Sequence, residues 1–255
     1  MRSLRSCALV LMAVLFTPID IARAETVTLF VTNAYTSVVA DVVPAFEART
    51  GHKVNVQNDA SNPLLKRASA GEAFDVIVLT PSESIQTLAD KGYVLPDSIR
   101  GLSKGSLAMA VRIGTPHPKI DTVEEFIQAL LQAHKVAYSD PAIGGVSGVY
   151  LSKLFKRLNI EEKLSGNLLP RPGPGVAQSL LSGEAEVSVQ QLSELMIPGV
   201  EIVGQLPDEI QLYSITSGAI SANAKNPKAA QELMEAFVSK ETKALLPGKG
   251  LSPME

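Results

Sequence analysis

Short apolar runs of β type alternate along this chain with segments whose apolar residues recur at helical spacing, and this alternation constrains the fold more than any other feature. The runs fall at 27–32, 53–58, 75–80, 107–113, 135–140, 186–190, 200–206 and 213–221. They read as strands, several of them near-continuously apolar and so buried on both faces. Between them, Val38, Val39, Val42, Val43 and Phe46 share one helical face, as do Val123, Phe126, Ile127, Leu130 and Leu131, and again Val149, Leu151, Leu154, Phe155 and Leu158. Such a pattern predicts an α/β protein with mostly parallel sheet and helices on both faces.

Helix boundaries are also signed. Ser61-Asn62-Pro63 and Asn226-Pro227 place a capping side chain just ahead of a proline at the first helical position. Gly51, Gly71, Gly92 and Gly183 stand where helices should stop. With no repeat, low-complexity segment or long linker, two lobes would have to be joined by ordinary strands, and the runs near 107–113 and 213–221 are the crossing points expected.

Residues 1–24 have the three parts of a secretory leader: Arg2 and Arg5, an apolar stretch from Cys7 to Phe16, and Ala22 and Ala24 around Arg23. A cleaved leader and a periplasmic mature protein are therefore expected. Cys7 is the chain's one cysteine, so disulfide and thiolate chemistry would leave with the leader. Its loss also makes the chain more acidic than the formal −3 of the whole sequence. Acids and bases are interspersed, with no basic stripe for nucleic acid.

In an open parallel sheet, ligands sit beyond the C-terminal ends of the strands, where the following helices aim their N-termini at one place. Those ends carry hydroxyls, amides and glycines. The first strand runs into Asn33, Ala34 and Tyr35, and the second into Ser61 and Asn62. The run at 135–140 continues through Gly144-Gly145 to Ser147 and Gly148, Gly175 and Val176 open a further helix, and another strand ends in Gln190 and Gln191. Such a ring suits a small anion held by backbone N–H groups and neutral donors. Ser61 and Asn62 could equally be plain helix caps, Gly144-Gly145 a plain turn, and Tyr35 either an aromatic lid or a packed tyrosine. Lys66, Arg67 and Arg171 are the candidate charge-compensating cations. His52, His117 and His134 have no partner at metal-ligand spacing, so no metal is expected. No Walker loop, G-x-S-x-G or dinucleotide fingerprint is present, and no cofactor is expected.

Thr28-Leu29-Phe30, Ala45-Phe46-Glu47 through Gly51, Gly71-Glu72-Ala73-Phe74-Asp75-Val76, Asp140-Pro141 and Gly183-Glu184-Ala185-Glu186 resemble the periplasmic molybdate-binding proteins over essentially the whole mature chain. The resemblance implies the two-lobed type II periplasmic-binding fold, with lobe I at 25–105 plus 215–255 and lobe II at 106–214. It implies ligand contacts from Ser61, from the N–H of Ser147, and from that of Gly175 or Val176. Two positions depart from the family: Ala34 stands where a serine is usual and Gln191 where a tyrosine is usual. Losing two hydroxyl donors costs a dehydrated dianion about 1–3 kcal/mol each, which points away from molybdate. The segments 140–150 and 189–194 look like a divergent subgroup, to which periplasmic aconitate isomerase is similar.

Two functions from different classes follow from that resemblance. One is a cofactor-free isomerase that shifts a proton along the three-carbon unit of aconitate, with Tyr35 a conceivable proton carrier. The other is a non-catalytic solute-binding protein, expected as a monomer, that delivers an oxyanion or carboxylate to the permease of an ABC transporter.

Overall fold

The computed structural model describes residues 24–254; the expected leader, Ala24 apart, lies outside the described residues. Two mixed sheets form separate lobes, each covered by helices on both faces. The first is built from β1 (Thr26–Thr32), β2 (Lys53–Asp59), β3 (Val76–Leu79), β4 (Arg100–Gly105), β10 (Ser214–Ile220) and β11 (Leu251–Pro253), in the order β11-β4-β10-β3-β1-β2. The second holds β5 (Leu107–Arg112), β6 (Val136–Ser139), β7 (Leu168–Arg171), β8 (Val187–Gln191) and β9 (Val200–Gln205), in the order β7-β6-β8-β5-β9.

Parallel pairing is confined to β1 with β2 and β3, and to β6 with β7 and β8. β10, β4 and β11 pair antiparallel in the first sheet, and β5 does so with β8 and β9 in the second. The sheets are thus more antiparallel than the alternation alone predicts. The cause is the two-lobed path: each sheet accepts a strand arriving from the other lobe, and that strand runs against its neighbours.

The chain crosses from β4 to β5 through the single residue Ser106 and returns over residues 206–213. Gln211 on the return path clasps the outward one. Its Oε1 accepts from Leu107 N at 2.8 Å and its Nε2 donates to Leu107 O at 3.1 Å.

The helices are α1 (Thr36–Thr50), α2 (Ser61–Ser69), α3 (Glu83–Asp90), α4 (Val123–Gln132), α5 (Val146–Arg157), α6 (Glu161–Leu164), α7 (Gly173–Ser182), α8 (Leu192–Leu195), α9 (Pro227–Val238) and α10 (Lys240–Leu245). None among the described residues is long and apolar enough to cross a membrane. The apolar faces read from the sequence are the buried ones: Val38, Val39, Val42, Val43 and Phe46 pack with β1 and α9 in one core, and Phe126, Leu130, Leu151, Leu154 and Phe155 in another. Gly51 and Gly183 close α1 and α7 in the left-handed conformation, at φ 77° and 78°, which costs glycine least.

Asp75 ties the ends of lobe I together from a nearly fully buried position. Its Oδ2 accepts from Thr28 N at 2.8 Å, and its Oδ1 from Lys225 N at 2.7 Å and Asn226 N at 3.3 Å. Asn226 caps α9 by position but sends its side chain to Thr26 O instead of the helix. Replacing Asp75 with alanine would leave three N–H groups short of an acceptor. Asp75→Ala is expected to destabilise the protein by about 2–4 kcal/mol in urea unfolding, against less than about 0.5 kcal/mol for a surface acid such as Glu124→Ala.

Candidate functional site

A cavity of about 430 Å³, its mouth included, lies between the lobes. Lobe I contributes Thr32, Asn33, Ala34, Ala60, Ser61 and Thr80. Lobe II contributes Ser139, Asp140, Ile143, Gly145, Val146 and Ser147 from the end of β6 to the start of α5, together with Arg171, Gly173, Gln191 and Glu194.

α2, α5 and α7 all begin at this cavity, and the residue preceding each, Ala60, Gly145 and Pro172, supplies no capping side chain. By contrast α4, remote from the cleft, is capped by Thr122 through Glu125 N. Helix N-termini left uncapped by the protein present positive dipole ends and N–H groups to whatever enters. The arrangement fits an anion.

Hydroxyl pairs of matching construction face the cavity from each lobe. In lobe I, Ser61 Oγ donates to Thr32 Oγ1 at 2.8 Å and accepts from Thr80 N at 3.1 Å. In lobe II, Ser147 Oγ donates to Ser139 Oγ at 3.0 Å. In both pairs a serine in the first turn of a helix spends its proton on a hydroxyl at the end of a strand, which leaves that second hydroxyl's own proton for a ligand. Ser61 therefore belongs to α2 itself and shapes the site through Thr32; it is not the cap that Ser61-Asn62-Pro63 predicts.

Glu194 is the carboxylate that the sequence reading overlooked. It sits on α8, one turn past Gln190, whose Nε2 donates to Glu194 Oε2 at 2.7 Å. The residue keeps some solvent contact through the cleft, but the carboxyl is enclosed by protein, and burial pushes its pKa up from 4.5 to about 7. An acid that half-ionises near neutrality inside an anion cavity can both receive and return a proton. It also loads the fold: the raised value means that the associated stability is complete below pH 4.5 and lost as pH rises through about 7.

Other candidates are placed differently. Tyr35 does not line the cavity: it is fully buried in the lobe I core with its ring edge against Phe237 at 5.7 Å. Its hydroxyl has no partner among the described residues and burial pushes its pKa well up, so it is no proton carrier. Lys66 is exposed on α2. Arg67 is taken up by Glu72 and Gln57 and stacks over Phe30 at 4.4 Å. Of the three candidate cations only Arg171 reaches the cavity, and it also lies 3.6 Å from Glu184. Asn62 packs its side chain against Gly144 across the cleft. Val176 is core, and Gly175 lies in the first turn of α7 against Arg171 with its N–H spent on Pro172 O at 2.8 Å; neither lines the cavity, so the ligand N–H expected from them is not placed there. Gln190 is buried behind the wall, whereas Gln191 lines it and donates to Ser214 Oγ at 3.0 Å beside the crossing strands.

The lobes touch across the cleft. Ser193 Oγ of α8 donates to Ala34 O at 2.9 Å, and Gly173 faces the Asn33 amide so closely that a Cβ would stand 2.6 Å from Nδ2. The same hypothetical Cβ on Gly173 would stand 3.0 Å from Glu194 Oε2, so Asn33 of lobe I and Glu194 of lobe II both approach this glycine.

A cleft of this form, with helix N-termini and hydroxyls from both lobes around a small space, is that of a two-lobed solute-binding protein. Residues 27–252 match the model of the bacterial extracellular solute-binding protein family, and the chain belongs to that family. A relative from a Pseudomonas species, named aconitate isomerase, is 34% identical over 246 residues, covering 93% of this chain and 92% of its own. The fold is similar to the Azotobacter vinelandii periplasmic molybdate-binding protein, with a TM-score of 0.75 at 17% identity over 90% of this chain and 100% of that one. It is also similar to the sulfate-binding protein of Mycobacterium tuberculosis, with a TM-score of 0.73 at 19% identity over 91% and 88%.

Gly148 sets the distance between α5 and the end of β6: a Cβ there would meet Ser139 O at 2.3 Å, and backbone cannot move aside as a side-chain tip can. Gly148→Ala is expected to push the α5 N-terminus off the cavity and weaken anion affinity by about a hundredfold, read by calorimetric titration, while the far-ultraviolet spectrum stays that of a folded protein.

Proposed function

We propose that this protein is a cofactor-free isomerase of a small polycarboxylate, with cis- and trans-aconitate as the substrate pair. The observation that carries the reading is Glu194, a carboxyl with pKa pushed up to about 7 on the wall of a cavity otherwise built for anions. A site that only held an anion could use this acid as a protonated hydrogen-bond donor, but its ionised form would oppose the ligand. A site that must take a proton from carbon needs a base there. The 34% identical aconitate isomerase supports the choice of substrate.

In the proposed reaction Glu194, ionised, removes a proton from the methylene carbon of aconitate. The electrons of that C–H bond form a new double bond to the central carbon. The electrons of the old double bond move to the far carbon and spread into its carboxylate. Glu194 then returns the proton to the far carbon and is ionised again. The geometry of the new double bond is that in which the former methylene's carboxylate was held, so cis becomes trans without rotation about a double bond. The uncapped starts of α2, α5 and α7, the Thr32 and Ser139 hydroxyls and Arg171 face the substrate carboxylates and stabilise the charge that spreads into them. Closure through Ser193 and Ala34 excludes water from the carbanion.

The second reading, a periplasmic solute-binding protein that passes a carboxylate or oxyanion unchanged to a transporter permease, draws on the family itself. Purified protein incubated with cis-aconitate, followed by separation of the isomers, decides between them. The trans isomer should accumulate with wild type, and tight binding without conversion would establish the carrier. Under the isomerase reading, Glu194→Gln lowers kcat by about 10²–10⁴-fold with the ligand still bound. Because the base works only when ionised, kcat/KM should rise with pH up to a plateau above about 7.

A further inference from the structure

Gln190 is wholly buried at the penultimate position of β8, in a chain segment where Val187 and Val189 are core. Its amide nitrogen donates to Gly173 O at 3.0 Å and to Glu194 Oε2 at 2.7 Å. Its Oε1 is buried with no partner among the described residues. Gly173 O can only accept, and so can Glu194 when ionised, so turning the amide over would set oxygen against the Gly173 carbonyl and, in the ionised state, against the carboxylate as well. An apolar side chain of the same size would fill this position without stranding an acceptor. The packing of β8 therefore does not account for the glutamine, and the two bonds it makes do: one to the first residue of α7, whose start faces the cavity, and one to the carboxyl of Glu194.

We propose that Gln190 is the positioning residue of the proton-transferring carboxyl, holding Oε2 of Glu194 in register with the start of α7 and leaving Oε1 as the atom that takes and returns the proton. This deepens the isomerase reading and rests on it for the word proton-transferring; the positioning itself does not. Gly173 completes the arrangement, since a Cβ there would stand 3.0 Å from Glu194 Oε2. α7 and β8 bring no ionisable side chain to α8. β5 brings only Arg112 at its far end, β9 only Glu201, which pairs with His117 at 3.3 Å, and the turn Asn33–Tyr35 brings Tyr35, whose ring lies in the lobe I core. The cavity adds Asp140 and Arg171. The amide of Gln190 is the group that bonds directly to the carboxyl, and a donor to a carboxylate favours its ionised form.

The test is a pair of variants of the whole protein, Gln190→Met and Gln190→Glu, with the titration of the Glu194 side-chain carboxyl followed by carbon NMR without substrate. Gln190→Met removes the donor at constant volume and should move the Glu194 titration upward by about one pH unit. The rising limb of the kcat/KM profile for aconitate should move with it, with kcat about tenfold or more lower and KM little changed. Gln190→Glu sets a second acid against Oε2 and should move the titration higher still. An unshifted titration in either folded variant overturns the proposal; if Gln190→Met does not fold, Gln190→Glu alone decides. Should wild type fail to convert aconitate, the isomerase reading falls, while the substrate-free titration still decides the role of Gln190.

Discussion

Three helix N-termini whose preceding residues supply no capping side chain converge on one cavity, and the rest of the architecture serves to hold them there. α2 follows the edge strand β2, α5 follows β6, and α7 follows β7. Their starts belong to different sheets, so they meet only because β4 and β5, and the return segment with Gln211, hold the lobes face to face. A helix start with neither cap nor water is unfavourable. An anion entering the cavity would meet these N–H groups and dipole ends in place of water.

A carboxyl works against this design. Every donor around the cavity favours negative charge in the ligand, and Glu194 in its ionised form opposes it. The protein accommodates the conflict by burial, which leaves the acid about half ionised near pH 7, and by the amide of Gln190. Under the proposed reaction proton removal needs the ionised form, which an anionic substrate disfavours without forbidding. A group that titrates near the working pH is the compromise that serves both binding and proton removal, and the raised pKa that makes it useful also makes it a burden on folding as pH rises.

The alternation of strands and helices was legible because burial on both faces of a sheet leaves a continuous apolar signature, and so were the glycine stops at Gly51 and Gly183. β4 was not: Arg100-Gly101-Leu102-Ser103-Lys104-Gly105 has no apolar run, and it becomes a strand because β10 and β11 pair with its two sides. At the site, the strand ends pointed to Asn33, Ala34, Ser61, Ser147 and Gln191, all of which line the cavity. Tyr35, Lys66 and Arg67 were drawn in by proximity in sequence, yet the short turn after β1 rolls Tyr35 into the core and the face of α2 turns its two cations to solvent and to Glu72. Glu194 escaped notice because its environment, not its neighbours in sequence, makes it unusual. The one local trace of it is its spacing of four from Gln190.

The central claim, that the cleft moves a proton between the ends of a three-carbon unit, is tested most directly with cis-aconitate carrying deuterium at its methylene carbon. An allylic shift through Glu194 predicts a slowed conversion and a trans product in which the labelled carbon has become vinylic with one deuterium lost from it. A trans product that keeps both deuterons on an intact methylene, formed at the rate of the unlabelled compound, would show rotation about the original double bond and contradict the account.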